Sequence, residues 1–194
     1  MKLSPELEYK TPKQWVEVVM NDFDSFLQDH ADCERKASAM AMSFVAKCPD
    51  KTIIIPELIE TALEELQHFQ QVYTIMQKRG VALRKEMKVD TYIEELMKCV
   101  CTTPEERLLD RMLLASIIEC RGAERFKMVE EALHDIELKK FYKELWTSEA
   151  KHGNAFVKMA LEYYPDEEVY IRLKELVKKE AEICSRLPFL AALH

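Results

Sequence analysis

The sequence predicts an all-α fold: a four-helix bundle made of two helical hairpins, joined by a long crossover and followed by an additional C-terminal helix. Three observations carry this. Only three glycines and seven prolines occur in 194 residues, too little turn chemistry for a sheet fold, while Glu, Lys, Leu, Met and Ala abound. Apolar residues recur at helical spacing through most of the chain. Breaks marked by proline and glycine divide it into long segments. The length fits one domain, read as residues 1–194, and suffices for a sizeable core.

Thr11-Pro12-Lys13-Gln14 combines a capping hydroxyl, a proline at the first helical position and a glutamine placed to reach back. A first long helix is therefore expected from about Pro12 to Ala46, broken by Cys48-Pro49-Asp50-Lys51. Pro56 opens a second helix through about Lys78, which Gly80 ends, making an antiparallel hairpin. Residues 80–103 form the crossover, with a short amphipathic stretch around Tyr92 to Val100. Thr103-Pro104-Glu105-Glu106 repeats the start signal and opens a third long helix reaching about Ala132. A polar turn at His134-Asp135 leads into a fourth, ending near Tyr164. Pro165-Asp166 begins the last helix, whose apolar stripe holds Val169, Leu173, Leu176 and Val177. Two hairpins joined by one long crossover is the connectivity of ferritin-like bundles.

The net charge of -7 gives no global attraction to nucleic acid, so any RNA contact needs a locally basic face. The N-terminal stretch from Met1 to Trp15 has no apolar signal core, and no segment approaches the ~20 apolar residues of a membrane span, so a soluble, cytoplasmic protein is expected. Six cysteines are scattered through helical patterns, with Cys99 and Cys101 as a bare C-x-C. They are read as reduced packing residues rather than as zinc or iron-sulfur ligands.

The chemistry lies in four acidic positions and two histidines. Glu65-Leu66-Gln67-His68 and Glu149-Ala150-Lys151-His152 are each an E-x-x-H, and i and i+3 share one helical face, so carboxylate and imidazole can converge on one ion. Their stripe neighbours are apolar: Leu58, Ala62, Phe69 and Val72 in one helix, Leu145, Phe156 and Met159 in the other. Burying a carboxylate alone costs several kcal/mol, so inward Glu-His pairs call for a metal, a cation or a shared proton. The other two long helices each offer one inward glutamate, Glu34 and Glu119. Glu34 and Glu65 are 31 residues apart, Glu119 and Glu149 are 30 apart, which puts each pair at equivalent levels of two similar hairpins. Carboxylate-rich ligation with two histidines favours iron or manganese over structural zinc. Glu124 and His30 are candidates for supporting the ligands from behind, and Tyr73 and Tyr142 are read as packing residues.

The stretches Asp29 to Ala37, Glu65 to His68, Ile118 to Phe126 and Ser148 to His152 resemble the MiaE tRNA hydroxylases, a likeness that spans nearly the whole chain. The resemblance implies a ferritin-like fold, with Glu34, Glu65, His68, Glu119, Glu149 and His152 holding two iron ions. It implies hydroxylation of the isopentenyl group of a hypermodified adenosine in tRNA, with dioxygen as co-substrate. Inserting one oxygen atom needs two electrons. The chain has neither a Gly-rich dinucleotide fingerprint nor a four-cysteine cluster, so an external electron-donating reductase is an expected partner alongside tRNA.

Candidate RNA contacts are Lys139, Lys140 and Lys143, with further basic groups at Arg84-Lys85 with Lys88 and at Lys174 with Lys178-Lys179. Two other readings stand beside this one. A ferroxidase or peroxide-scavenging protein of the ferritin-rubrerythrin type would use the same ligands, and a helical interaction protein would use none. The sequence leaves the oligomeric state open.

Overall fold

The computed structural model describes residues 5–194; the first four residues of the stretch read for a signal core lie outside the described residues. Among the described residues the chain forms seven helices and no strand: α1 (Lys13–Asn21), α2 (Phe23–Lys47), α3 (Ile55–Arg79), α4 (Thr91–Met97), α5 (Pro104–Ala132), α6 (Ile136–Leu161) and α7 (Asp166–Arg186). None of them is long and apolar enough to cross a membrane. The chain divides into two compact units, Glu17–Lys88 with Leu190–Leu193, and Val89–Phe189 with the chain up to Val16 and His194.

The first unit is the α2–α3 hairpin. The single helix expected from Pro12 to Ala46 is broken at Asp22, where φ is -139° and the carboxylate accepts from the Ser25 N–H at 3.2 Å. Aspartate caps helix starts well, and here it starts a new one inside an otherwise continuous amphipathic run. Gly80, at φ 71°, closes α3 in the left-handed conformation, and the Val81 N–H returns to the Met76 carbonyl at 2.9 Å. The Ser38 hydroxyl donates to the Ala62 carbonyl at 2.8 Å and so sets the register of the two helices. Between them Phe26, Leu27, Ala41, Phe44, Leu58, Val72 and Met76 are buried. Asp29 anchors both ends of the unit's irregular chain, accepting from Arg84 at 3.2 Å and from the Leu193 N–H at 2.8 Å.

The second unit is built on the α5–α6 hairpin. The expected starts recur: Pro104 opens α5, and Asp135 caps α6 by accepting from the N–H groups of Glu137 and Leu138 at 2.8 and 3.0 Å. The Thr103 hydroxyl goes to the Glu106 carboxylate. The two helices meet closely at Gly153, whose carbonyl accepts from the Ser116 hydroxyl at 2.6 Å. A Cβ there would stand 2.6 Å from Cys120 Sγ and 3.3 Å from the Ser116 carbonyl oxygen, so the crossing requires glycine.

A buried ionic network fastens α7 and the N-terminal segment to α5. Arg121, fully buried, donates through Nε to Glu180 Oε1 at 2.7 Å and through Nη2 to Glu180 Oε2 at 3.0 Å and the Tyr9 carbonyl at 2.9 Å. Its Nη1 reaches Thr11 and Glu124. The Tyr92 hydroxyl of α4 and the Cys184 thiol also donate to Glu180, at 3.2 and 3.1 Å. Burial and the Glu180 charge push the Cys184 thiol up to about 12. Thr11, expected to cap a helix, instead gives both its N–H and its hydroxyl to Glu124, at 3.1 and 2.7 Å. At the far end of α5, Arg172 of α7 grips Asp110 at 2.6 and 2.9 Å.

Candidate metal centre

In the first unit, α2 carries Glu34 and α3 carries Glu65 and His68. All three are buried, at 3%, 1% and 9% exposure, so the helices turn these polar groups inward as their apolar stripes demand. His68 Nδ1 lies 3.4 Å from Glu65 Oε2 and 3.7 Å from Glu34 Oε2. The i, i+3 spacing thus puts the Nδ1 edge of the ring on the carboxylates. Behind Glu34, one turn earlier, the fully buried His30 has Nε2 2.6 Å from Glu34 Oε1, which fixes the orientation of that carboxylate.

The second unit repeats the arrangement. Glu119 on α5 and Glu149 and His152 on α6 are buried, and His152 Nδ1 lies 3.6 Å from Glu149 Oε2. Gly153 follows His152 directly, so the close crossing that glycine permits is made next to a ligand-type residue. In each triplet, Glu34-Glu65-His68 and Glu119-Glu149-His152, one donor atom per side chain lies within 4.8 Å of the other two. Ligand atoms about 2.1 Å from a shared ion stand at most about 4.2 Å apart, so each triplet fits an ion after closing by about half an ångström. Two carboxylates and an imidazole form a hard-to-borderline donor set that suits iron or manganese.

The remaining candidates are placed as follows. Glu124 is engaged by Thr11 and Arg121, which makes it part of the fastening of the N-terminal segment. Lys140 and Lys143 on α6 are exposed and Lys139 half-buried, with Glu144 3.8 Å from Lys140 Nζ. Arg84 is held by Asp29 and by the Ser25 carbonyl at 3.0 Å, so it is not available to a phosphate. Tyr142 is fully buried as expected, whereas Tyr73 is 36% exposed and stacks on Phe69. The Arg121-Glu180 and Asp110-Arg172 pairs were not foreseen. Their one local signal is a charged residue at a position where the helical stripe calls for an apolar one.

Comparison with known proteins agrees with this arrangement. The family model described as tRNA-(MS[2]IO[6]A)-hydroxylase (MiaE) matches residues 2–194. A Pseudomonas putida (strain KT2440) protein named tRNA 2-(methylsulfanyl)-N(6)-isopentenyladenosine(37) hydroxylase is 36% identical over 182 residues, 92% of this chain and 87% of that protein. A Salmonella typhimurium (strain LT2) protein of the same name is 30% identical over 130 residues, 67% of this chain and 47% of that protein. Among solved structures, Protein 43 with aldehyde deformylating oxygenase activity from Synechococcus is similar with a TM-score of 0.91 and 29% identity, over 97% of this chain and 94% of that one. The fold is the expected all-α, ferritin-like one. With the family's model matching all but the first residue, the chain belongs to the MiaE family.

Proposed function

We propose that this chain is an oxygen-dependent tRNA hydroxylase that acts on the isopentenyl side chain of a hypermodified adenosine, with its two triplets serving one di-iron centre in a single functional domain. The observation that carries the reading is the duplicated buried triplet, Glu34-Glu65-His68 and Glu119-Glu149-His152. Four buried carboxylates bring a charge of -4, which two divalent ions neutralise, and family membership supplies the substrate class. When bound, a pair of ferrous ions supplies the electrons and open coordination positions that let dioxygen oxidise a C–H bond.

The chain's own part is positional. Glu34, Glu65, Glu119 and Glu149 offer oxygen donors, and His68 and His152 offer ring nitrogens. His30 holds Glu34 in place. Apolar neighbours such as Leu58, Val72, Leu145 and Phe156 are buried and exclude bulk water from the ligands. Lys139, Lys140 and Lys143 supply a local positive face for the phosphate backbone, and an unstacked base is the form in which the prenyl group can be reached. Two further electrons come from a separate reductase, and mature tRNA as substrate implies the cytoplasm.

The test is direct. Iron-loaded protein, given dioxygen, a competent reductant and tRNA carrying the prenylated base, is expected to yield the hydroxylated nucleoside by mass spectrometry, and Glu149→Ala is expected to yield none. Wild-type protein that leaves the nucleoside unchanged but oxidises free ferrous ions catalytically would assign the centre to ferroxidase chemistry instead.

A further inference from the structure

We propose that the chain forms an isologous dimer through the outer face of the α2–α3 hairpin, with α3 packed antiparallel on α3 of a second copy about a two-fold axis at Leu66. The face is apolar where a lone helical hairpin should be polar. Ile59, Leu63, Leu66 and Tyr73 of α3 are 41%, 55%, 52% and 36% exposed, and Met42 of α2 beside them is 46% exposed. Single exposed apolar residues are ordinary; a contiguous set is not. Positions 59, 63, 66 and 73, with Gln70 between the last two, follow the alternating four-and-three spacing of a coiled-coil seam. Together they present on the order of 500 Å² of apolar surface, the upper range for a monomer's largest patch. A polar rim of Glu60, Gln67 and Gln70 extends it toward the ~800 Å² per partner of a specific interface.

A second copy is favoured by the symmetry of the seam. Ile59 lies seven residues before Leu66 and Tyr73 seven after it, so in an antiparallel pair Leu66 meets Leu66 while Ile59 meets Tyr73 on both sides. The Tyr73 ring is already ordered for such a contact, stacked on Phe69 at 6.2 Å with 13° between planes. Charge points the same way. Exposed Glu57 and Glu60 lie in the N-terminal half of α3 and exposed Lys78 at its C-terminal end. The antiparallel register brings Glu57 level with Ile75, one turn from Lys78 of the partner copy, and opposes the two helix dipoles. Those same glutamates repel a phosphate backbone, so tRNA is the weaker occupant. Two molecules of net charge -7 can approach only where each presents an uncharged strip.

Sedimentation velocity on the full chain over a concentration series is expected to show a monomer–dimer equilibrium. Leu66→Glu and Leu63→Glu are each expected to raise its dissociation constant by about 100-fold with an unchanged helical circular dichroism spectrum, because a carboxylate would be buried near its own symmetry mate. In a second readout, Leu66→Cys treated with a short bis-maleimide is expected to form a covalent dimer, well above the level of the parent protein and of Ile171→Cys on exposed α7. The proposal is overturned by a wild-type chain that stays monomeric at every concentration, by a dimer indifferent to both glutamates, or by equal cross-linking at Ile171→Cys. It is equally overturned if the glutamate variants lose affinity for tRNA or for the reductase while the wild type is monomeric, which would assign the face to that partner.

Discussion

The Arg121-Glu180 pair joins residues 59 positions apart, and neither side chain has measurable exposure. Burial alone lowers an arginine pKa, yet the hydrogen bonds and charge of Glu180 outweigh it and keep Arg121 above its ordinary value. Breaking a buried pair leaves an uncompensated charge. Glu180→Ala is therefore expected to destabilise the fold by about 3–5 kcal/mol in urea denaturation, and the double variant Arg121→Met, Glu180→Leu to recover part of that loss. The Asp110-Arg172 pair makes a pH statement. Burial opposes the charged form of Asp110, but hydrogen bonds from Arg172 and from the Cys101 N–H hold its carboxyl below the usual aspartate value. A depressed carboxyl stabilises the fold above its unfolded pKa of about 3.9, and this contribution is lost as pH falls through the lower folded value. Asp110→Asn is thus expected to lower the melting temperature at pH 7 and to converge with the wild type below about pH 3, as read by a pH series of thermal melts. None of these pairs was legible from local sequence, because each links residues distant in the chain and sequence pattern speaks only of near neighbours.

At the scale of elements, most starts and stops were legible because their causes are local. Pro104 and Asp135 begin α5 and α6, Gly80 ends α3, and the stripe of α7 runs between the bounds its flanking prolines suggested. Asp22 was not. An aspartate in a long amphipathic run is ordinary until its carboxylate is seen on the Ser25 N–H. Nor was the use of Thr11, whose cap-like spacing is overridden by Glu124, 113 residues away. The α5–α6 crossing supplies a test at this scale. Gly153→Ala is expected to cost about 1–3 kcal/mol and to lower metal content, since its Cβ meets Cys120 Sγ at 2.6 Å beside the His152 ligand position. Gly122→Ala, whose Cβ would meet only Phe126 at an ordinary 3.9 Å, is the control, and Cys120→Ala is expected to rescue Gly153→Ala by removing the obstructing sulfur. Chemical denaturation and metal analysis read both outcomes.

For the whole molecule, the candidate centre was the part most fully legible, because its signal is periodic: an inward glutamate about 30 residues before each E-x-x-H survives any uncertainty in helix ends. Each triplet is gathered within one hairpin, so its making depends on short connections. Glu65→Ala and Glu149→Ala are each expected to abolish binding of at least one metal ion while leaving a helical protein, since removing a carboxylate also relieves like-charge repulsion. Metal content with circular dichroism checks this. What periodicity could not supply is the RNA face, as basic residues on a helix look alike whether they meet phosphate or water. Reversing the charge of Lys139, Lys140 and Lys143 is expected to weaken tRNA binding and to reduce its salt dependence by roughly one unit of slope for each phosphate no longer neutralised. Binding unchanged in affinity and slope would remove that face from consideration.

Cys184, drawn into the Glu180 network, has a consequence for survival in oxidising conditions. Thiols are attacked by peroxide and by alkylating agents as thiolates. With its pKa pushed up to about 12, Cys184 exists as thiolate in only about one molecule in 10⁵ at pH 7. An oxygen-consuming catalyst meets peroxide as a by-product of every uncoupled turnover, and sulfinic or sulfonic acid at this position would force a new anion against Glu180 and unfasten α7. The same carboxylate that binds Arg121 thus keeps the neighbouring sulfur chemically silent, and Cys184 should be the last of the six cysteines to be oxidised when the protein ages at work.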